Sequence, residues 1–225
     1  MAIASYKDLC IDANHVEQQA VFYSAALGLQ INRRDGNVWL SGPTPAHTIW
    51  MNAVPEPTTA KNRAHLDVHC GSIAELEALG ATVAAEQPPG VGWTIMTDPE
   101  GQVFCGFVRE TVPDYRLYEI VVDCADPHRI AEWWAAIFGA EAGHDVAEPW
   151  SWLEPVPSAP FAAFTFSAVP EPKAVKNRVH WDVSVDSLDP LLAAGATLLR
   201  AKGDEVQWNV LADPEGNEFC AFVSD

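Results

Sequence analysis

The chain has 225 residues, 48% of them apolar, with 31 Asp and Glu against 13 Lys and Arg for a formal net charge of −18. That is enough apolar sequence for one or two ordinary cores, while so acidic a balance opposes contact with phosphate backbones or anionic lipid, which rely on Lys and Arg. Nucleic acid and membrane surfaces are therefore not expected partners.

No apolar run reaches the ~18–20 residues of a spanning helix, and Met1 to Lys7 is too short and mixed for a signal peptide, so a soluble, cytoplasmic protein is expected. The five cysteines, Cys10, Cys70, Cys105, Cys124 and Cys220, are odd in number and form no C-x-x-C. That disfavours a disulfide framework and a zinc ribbon, and the expectation is reduced thiols.

In chain order, Tyr6 to Asp12 alternates as a strand, and Asn14 is the expected cap of a helix through Leu27. Its apolar positions Val16, Ala20, Phe22, Tyr23 and Leu27 keep helical spacing, and Gly28 provides a left-handed stop. Strands Asn37–Leu40 and Thr48–Ala53 follow, then a short helix, Ile73–Leu79, ended by Gly80. A last pair, Trp93–Thr97 and Val103–Val108, is joined through Asp98-Pro99-Glu100-Gly101, residues that suit the places of a type I turn. Pro113 and Asp114 interrupt the pattern near Thr111–Arg116.

The plan then recurs. Strand Tyr118–Asp123 leads to a helix capped by Asp126 with Pro127 in its first position, a stripe of Ile130, Trp133, Trp134 and Ile137, and Gly139 at its end. Strands Ser151–Leu153 and Phe161–Ala168, helix Leu188–Ala194 before Gly195, and strands Trp208–Ala212 and Glu218–Val223 around Asp213-Pro214-Glu215-Gly216 complete it. Residues 1–112 and 113–225 are thus read as two like domains. They hold four units of roughly fifty-five residues, each too small to bury a sheet face alone, which should pair.

One phrase is repeated almost verbatim. Val54-Pro55-Glu56-Pro57 and Lys61-Asn62-Arg63-Ala64-His65-Leu66-Asp67-Val68 return as Val169-Pro170-Glu171-Pro172 and Lys176-Asn177-Arg178-Val179-His180-Trp181-Asp182-Val183. Side chains alternate along a strand, so His65 and Asp67 share one face, as do His180 and Asp182, with apolar residues on the other.

This layout resembles the vicinal-oxygen-chelate superfamily of glyoxalases, bleomycin- and fosfomycin-resistance proteins and extradiol dioxygenases. The resemblance rests on Phe22-Tyr23 before Leu27-Gly28, Trp133-Trp134 before Phe138-Gly139, the strand-opening His65 and His180, Leu79-Gly80-Ala81-Thr82 with Ala194-Gly195-Ala196-Thr197, and the two Asp-Pro-Glu-Gly turns. It implies an α+β fold of tandem domains, each with two βαβββ units curled into a half-open cup, helices outside and a ligand or divalent metal inside. Metal-dependent members usually take a ligand from the first strand, here Asp8 or Glu119, a His from the fifth, here His65 or His180, and a Glu from the eighth. Cys105 and Cys220 replace that Glu. The implied sets are Asp8/His65/Cys105 and Glu119/His180/Cys220; a thiolate suits Zn²⁺, but the lost oxygen ligand disfavours harder ions, so a metal-free cup is expected and a divalent metal is the alternative.

Strand alternation then predicts Asp8, Cys10 and Asp12 inward with Leu9 and Ile11 outward, and Glu119, His180 and Asp182 inward with Ile120, Val122, Trp181 and Val183 outward. Gathered acids should raise one another's pKa and help a neighbouring His keep its proton, so His65/Asp67 and His180/Asp182 are the candidates for proton transfer. A structural role, pairing with each other or with Arg63 and Arg178, is the other reading. Lys61, Arg63, Lys176 and Arg178 either meet an anionic ligand or offset nearby acids. Cys105 and Cys220 read as buried small hydrophobes rather than nucleophiles.

Trp39, Trp50, Trp93, Trp150, Trp152 and Trp208 lie where strands or loops would border the cups; a Trp laid over an organic ligand removes ~150–250 Å² from water, roughly 4–6 kcal/mol before ordering costs. The expected ligand-lining set is Asp8, Trp39, Trp50, Cys105, Phe107, Glu119, Trp152, Cys220 and Phe222. Arg33-Arg34-Asp35-Gly36 has no basic match in Gly143-His144-Asp145-Val146, which suggests that one cup holds a ligand and the other supports it. Function is expected to be binding of a small aromatic or apolar molecule, as in bleomycin-resistance proteins. The alternatives are a lyase- or isomerase-type enzyme using His/Asp or a metal in the same cup, and a scaffold with filled cups. A monomer satisfies the pairing, and a homodimer stays open.

Overall fold

In the computed structural model, residues 2–85, 90–204 and 206–224 are described. The first half runs β1 (Ala4–Ala13), α1 (Val16–Leu27), β2 (Gln30–Arg34), β3 (Asn37–Ser41), β4 (Ile49–Ala53), β5 (Ala64–Cys70), α2 (Ile73–Ala78), β6 (Thr82–Val83), β7 (Thr94–Thr97) and β8 (Val103–Val108). The second runs β9 (Leu117–Cys124), α3 (Pro127–Phe138), β10 (Ala142–His144), β11 (Trp150–Leu153), β12 (Ala163–Ala168), β13 (Val179–Val185), α4 (Asp189–Ala193), β14 (Thr197–Arg200), β15 (Asn209–Ala212) and β16 (Glu218–Val223).

Two mixed sheets result, and each draws one βαβββ unit from each half. Sheet I has the order β14-β15-β16-β13-β1-β4-β3-β2, and sheet II the order β10-β11-β12-β9-β5-β8-β7-β6. At their centres β1 runs antiparallel to β13, and β9 antiparallel to β5. The chain crosses between sheets twice, at 54–63 and at 169–178, and these crossings are the repeated phrase. The crossings clasp each other: Arg63 donates to the Glu171 carbonyl, Arg178 Nη1 to the Glu56 carbonyl (2.7 Å), and Arg178 N to Asn62 Oδ1 (3.0 Å). Arg63 and Arg178 therefore hold the crossing, rather than pairing with the histidine and aspartate of the strands they open.

Alternation along the central strands sends Leu9, Ile11, Leu66, Val68, Ile120, Val122, Trp181 and Val183 into one continuous apolar core, as expected. A bulge at Lys7 in β1, matched at Tyr118 in β9, shifts the register so that Tyr6 and Leu117 face the core while Asp8 and Glu119 face the other way. Helix α3 ties the sheets together. Its Trp134 meets Trp181 of sheet I (5.2 Å), Phe219 of sheet I (5.1 Å) and Phe164 of sheet II (6.0 Å).

The helix starts show why local capping rules reach only part of the way. Asp126 caps α3 by accepting from Arg129 N (3.1 Å), as expected. Asn14 does not cap α1: His15 holds that place, and the Asn14 side chain donates to the Val54 and Glu56 carbonyls. The orphan amides Asn14 N and His15 N go instead to Glu100 of the first Asp-Pro-Glu-Gly turn (2.9 and 2.5 Å), and Ala125 N and Asp126 N go to Glu215 of the second (2.9 and 3.1 Å). The turns are structural hubs: Asp98 also accepts from Gln19 and Tyr23, and Asp213 from Trp134. Gly28 (φ 72°) and Gly139 (φ 66°) close the two long helices in the left-handed conformation.

Candidate functional site

The concave, non-helical face of each sheet carries a buried cluster of ionisable side chains. In cup II, β5 supplies His65 and Asp67, β8 supplies Cys105, and β9 supplies Glu119 opposite Asp67. His65 Nε2 lies 3.5 Å from Asp67 Oδ1 and 3.8 Å from Cys105 Sγ. The ligand atoms of these three residues all lie within 4.8 Å of one another. Glu119 is tied to Thr165, which donates its hydroxyl.

In cup I the tight group is Asp8, Cys10 and Asp182, again within 4.8 Å. Cys10 Sγ approaches Asp182 Oδ1 (3.7 Å), and Asp8 Oδ2 takes Trp50 Nε1 (3.3 Å) and Lys7 Nζ (2.6 Å). His180 pairs across the strands with Cys10, and Cys220 with Asp182.

The ligand sets written by halves are therefore exchanged. Asp8 stands in sheet I with His180 and Cys220, and Glu119 in sheet II with His65 and Cys105, because the chain changes sheets at each crossing. Of the expected wall residues, Trp39 meets Trp50 (5.5 Å) on sheet I, where Phe222 stacks with Trp208 (5.8 Å). Phe107 stacks with Trp93 (6.0 Å) on sheet II, where Trp152 packs over Gly143, leaving no room there for a Cβ. Lys61 and Lys176 pair with Asp123 (2.6 Å) and Asp12 (2.5 Å), so they offset acids of the first strands.

Burial governs the protonation of both clusters. It pulls His65 down to about 4, with the Asp123 charge acting weakly against it, and it lowers His180 as well. Burial pushes Asp67 and Asp182 well above the carboxylate range, with Glu119 and Asp8 adding to it, and raises Glu119 and the Cys105 and Cys220 thiols. The acids raise each other as expected, but the histidines lose affinity for protons instead of gaining it, since desolvation outweighs the neighbouring charge. At neutral pH each imidazole is uncharged and each thiol protonated.

The N/O/S donor set of His65, Asp67 and Cys105 in cup II suits a zinc-like ion, and the tight group of cup I offers only O and S donors. A buried carboxylate oxygen without a hydrogen bond sits at each cluster, Asp67 Oδ1 in cup II and Asp8 Oδ1 in cup I. A cation would satisfy the carboxylate oxygens, so the residues fit a divalent metal. The fit is better in cup II, because the ammonium of Lys7 already occupies Asp8, whereas the corresponding bulge residue of cup II is Tyr118.

Beside the cluster of cup I lies an open cavity of about 850 Å³ lined by His180, Cys220, Asn52, Met51, Val210 and Trp208 among others. At the far end of cup II, residues that the sequence reading did not select come together. Tyr118 and Arg109 pack against Phe107 and His69 against Tyr118, and only the continued alternation of β5 and β8 hinted at them.

The model of a glyoxalase-like domain matches the chain twice, over residues 8–107 and 119–222. The chain belongs to that family. Its fold is that of the vicinal-oxygen-chelate superfamily, in tandem. Among solved structures, glyoxalase I from Zea mays superposes with a TM-score of 0.68 at 12% identity, covering 98% of this chain and 92% of that one. A putative dioxygenase from Bacillus subtilis subsp. subtilis str. 168 gives 0.63 at 15% identity, covering 98% and 85%. The cppA protein from Streptococcus pneumoniae TIGR4 gives 0.50 at 9%, covering 98% and 100%. At these identities the likeness is one of fold. Comparison with curated proteins gives no match.

Proposed function

We propose that this glyoxalase-like protein is an enzyme of lyase or isomerase type, acting on a small organic molecule in cup II, with a divalent metal held by His65, Asp67 and Cys105. The observation that carries the reading is the convergence of those three donors within 4.8 Å, with Asp67 Oδ1 buried, without a hydrogen bond and 3.5 Å from His65 Nε2. Such an ion supplies Lewis-acid polarisation of a substrate oxygen. The neutral imidazole of His65 is ready to bind without first losing a proton, Cys105 has a proton to give up, and burial raises Asp67. Glu119, opposite Asp67 and raised by burial, is the group to move a proton on the substrate. The surrounding strands exclude water from the cluster. The buried thiols fit a reducing compartment, and the proposal extends to the cytoplasm.

The test is titration of chelator-treated protein with Co²⁺, whose thiolate charge-transfer absorption reports binding to Cys105. One strong site is expected, lost in Cys105→Ser and in His65→Ala. Uptake that is absent in the parent, or unchanged in both variants, would falsify the proposal.

A second reading applies to cup I. There the Lys7 ammonium neutralises Asp8, and the cavity of about 850 Å³ has an apolar wall, which favours enclosure of an organic molecule without a metal. Binding that persists after chelation and falls in Trp208→Ala supports it; binding that vanishes with the metal rejects it.

A further inference from the structure

The two cups share a device that neither metal nor fold requires. On each concave face a Trp stacks on a Phe, Trp208 on Phe222 and Trp93 on Phe107, and a cation lies over the Phe ring. In cup I that cation is Lys7, 4.2 Å from the ring centroid, and its charge is taken up by Asp8 at 2.6 Å.

In cup II the cation is Arg109, its guanidinium 5.2 Å from the Phe107 centroid and 5.3 Å from that of Tyr118. Its Nε donates to His69 Nδ1 (3.2 Å), which fixes the fork in place. His69 is itself held against Tyr118, ring centroids 4.6 Å apart. Among the described residues no carboxylate forms an ion pair with Arg109 and no partner takes its Nη atoms, in a chain with 31 acidic residues. Arg33, Arg34, Arg116 and Arg178 all have carboxylate partners.

Cys105, Phe107 and Arg109 alternate onto one face, so the fork stands about 13 Å along the strand from the metal-binding thiol, near enough for one substrate to span the two. A planar guanidinium with free terminal nitrogens, held among aromatic rings, matches a carboxylate in fork geometry.

We propose that Arg109 selects the substrate of cup II, an aromatic carboxylate whose anionic end meets the Nη atoms of Arg109 while its ring lies against Trp93 and Phe107. This rests on cup II being the working site. It adds to that reading the charge of the substrate and the residue that recognises it.

The test uses full-length protein stripped of metal and dialysed free of chelator, so that failure of metal binding leaves the result intact. Benzoate, its neutral isostere benzamide, and acetate are titrated by calorimetry. Benzoate is expected to bind roughly 10- to 100-fold more tightly than benzamide, the range for a hydrogen-bonded charge pair, and more tightly than acetate. Arg109→Gln should abolish the preference for benzoate over benzamide while leaving Co²⁺ uptake unchanged, and Arg109→Lys should restore part of it. Trp93→Ala should weaken benzoate and benzamide alike, and Trp208→Ala neither. Equal binding of benzoate and benzamide by the parent, no benzoate binding, or a preference that survives Arg109→Gln overturns the assignment.

Discussion

At neutral pH the imidazole of His65 is already free of the proton a metal ligand must lose, while the thiol beside it is not and the neighbouring acid is held above the usual carboxylate range. That split follows mainly from burial, which disfavours every charged form and so moves His65 and Asp67 in opposite directions. Metal uptake at cup II must therefore displace the proton of Cys105. Apparent affinity should rise with pH between 6 and 8 by up to about tenfold per unit for each proton released, measured as proton release in buffers of different ionisation enthalpy. Affinity that is flat across that range would remove Cys105 from the ligand set. The same burial leaves a mark on stability. The folded His65 titrates near 4 and the unfolded one near 6.5, so between those values the unfolded chain binds more protons and acidification weakens folding through this residue. The raised carboxylates act in the opposite sense, so the useful quantity is a difference. Relative to His65→Asn, the parent should lose up to about 3 kcal/mol as pH falls from 6.5 to 4, read from urea midpoints.

The elements divide into those whose cause is local and those whose cause lies across the fold. Strand alternation placed His65, Asp67, His180 and Asp182 on the concave faces because every second neighbour is apolar, and Gly28 and Gly139 end their helices because the next backbone step is left-handed. The cap of α1 was not legible, because its acceptor, Glu100, lies in a turn of the other unit. Nor was the exchange of ligand sets: the repeated phrase marks an important loop, but nothing within it says which sheet the following strand joins. Arg109 and His69 were missed for a related reason, since their meaning comes from their contact with each other, from the Phe107 ring under Arg109 and from the bulge that brings up Tyr118. The two Asp-Pro-Glu-Gly turns also differ in a way that only geometry reveals. Glu100 accepts from two helix amides and pairs with Arg178, side chains 5% and 11% exposed, whereas Glu215 serves amides at a more open helix start. Glu100→Ala should cost about 3–5 kcal/mol, since it leaves the buried charge of Arg178 without its counter-charge, and Glu215→Ala only about 1 kcal/mol, the worth of a cap. Urea denaturation of the pair separates the two; equal costs would mean that the Arg178 contact contributes nothing.

For the whole molecule, pairing of units across the halves means that neither half owns a complete sheet. Two independent tandem domains would melt separately, each with its own core. Here β1 pairs with β13 and β5 with β9, the crossings clasp each other through Arg63 and Arg178, and one apolar core runs through both sheets. Trp181 is the sharpest probe of this arrangement. It belongs to sheet I and is fully buried, yet it packs edge-on against Phe164 of sheet II (4.7 Å) as well as Trp134 of α3 (5.2 Å). Trp181→Ala should cost about 3–5 kcal/mol through the cavity it leaves, which for a chain of this size lowers the melting temperature by roughly 6–20 °C. Scanning calorimetry of the parent and the variant should each give a single transition whose calorimetric and van 't Hoff enthalpies agree. The Co²⁺ absorption at Cys105, in the sheet that Trp181 does not belong to, should disappear at the same temperature as the far-ultraviolet signal. A split endotherm, or a cup II signal that outlasts the loss of sheet I, would mean that the sheets fold as separate units despite their shared core.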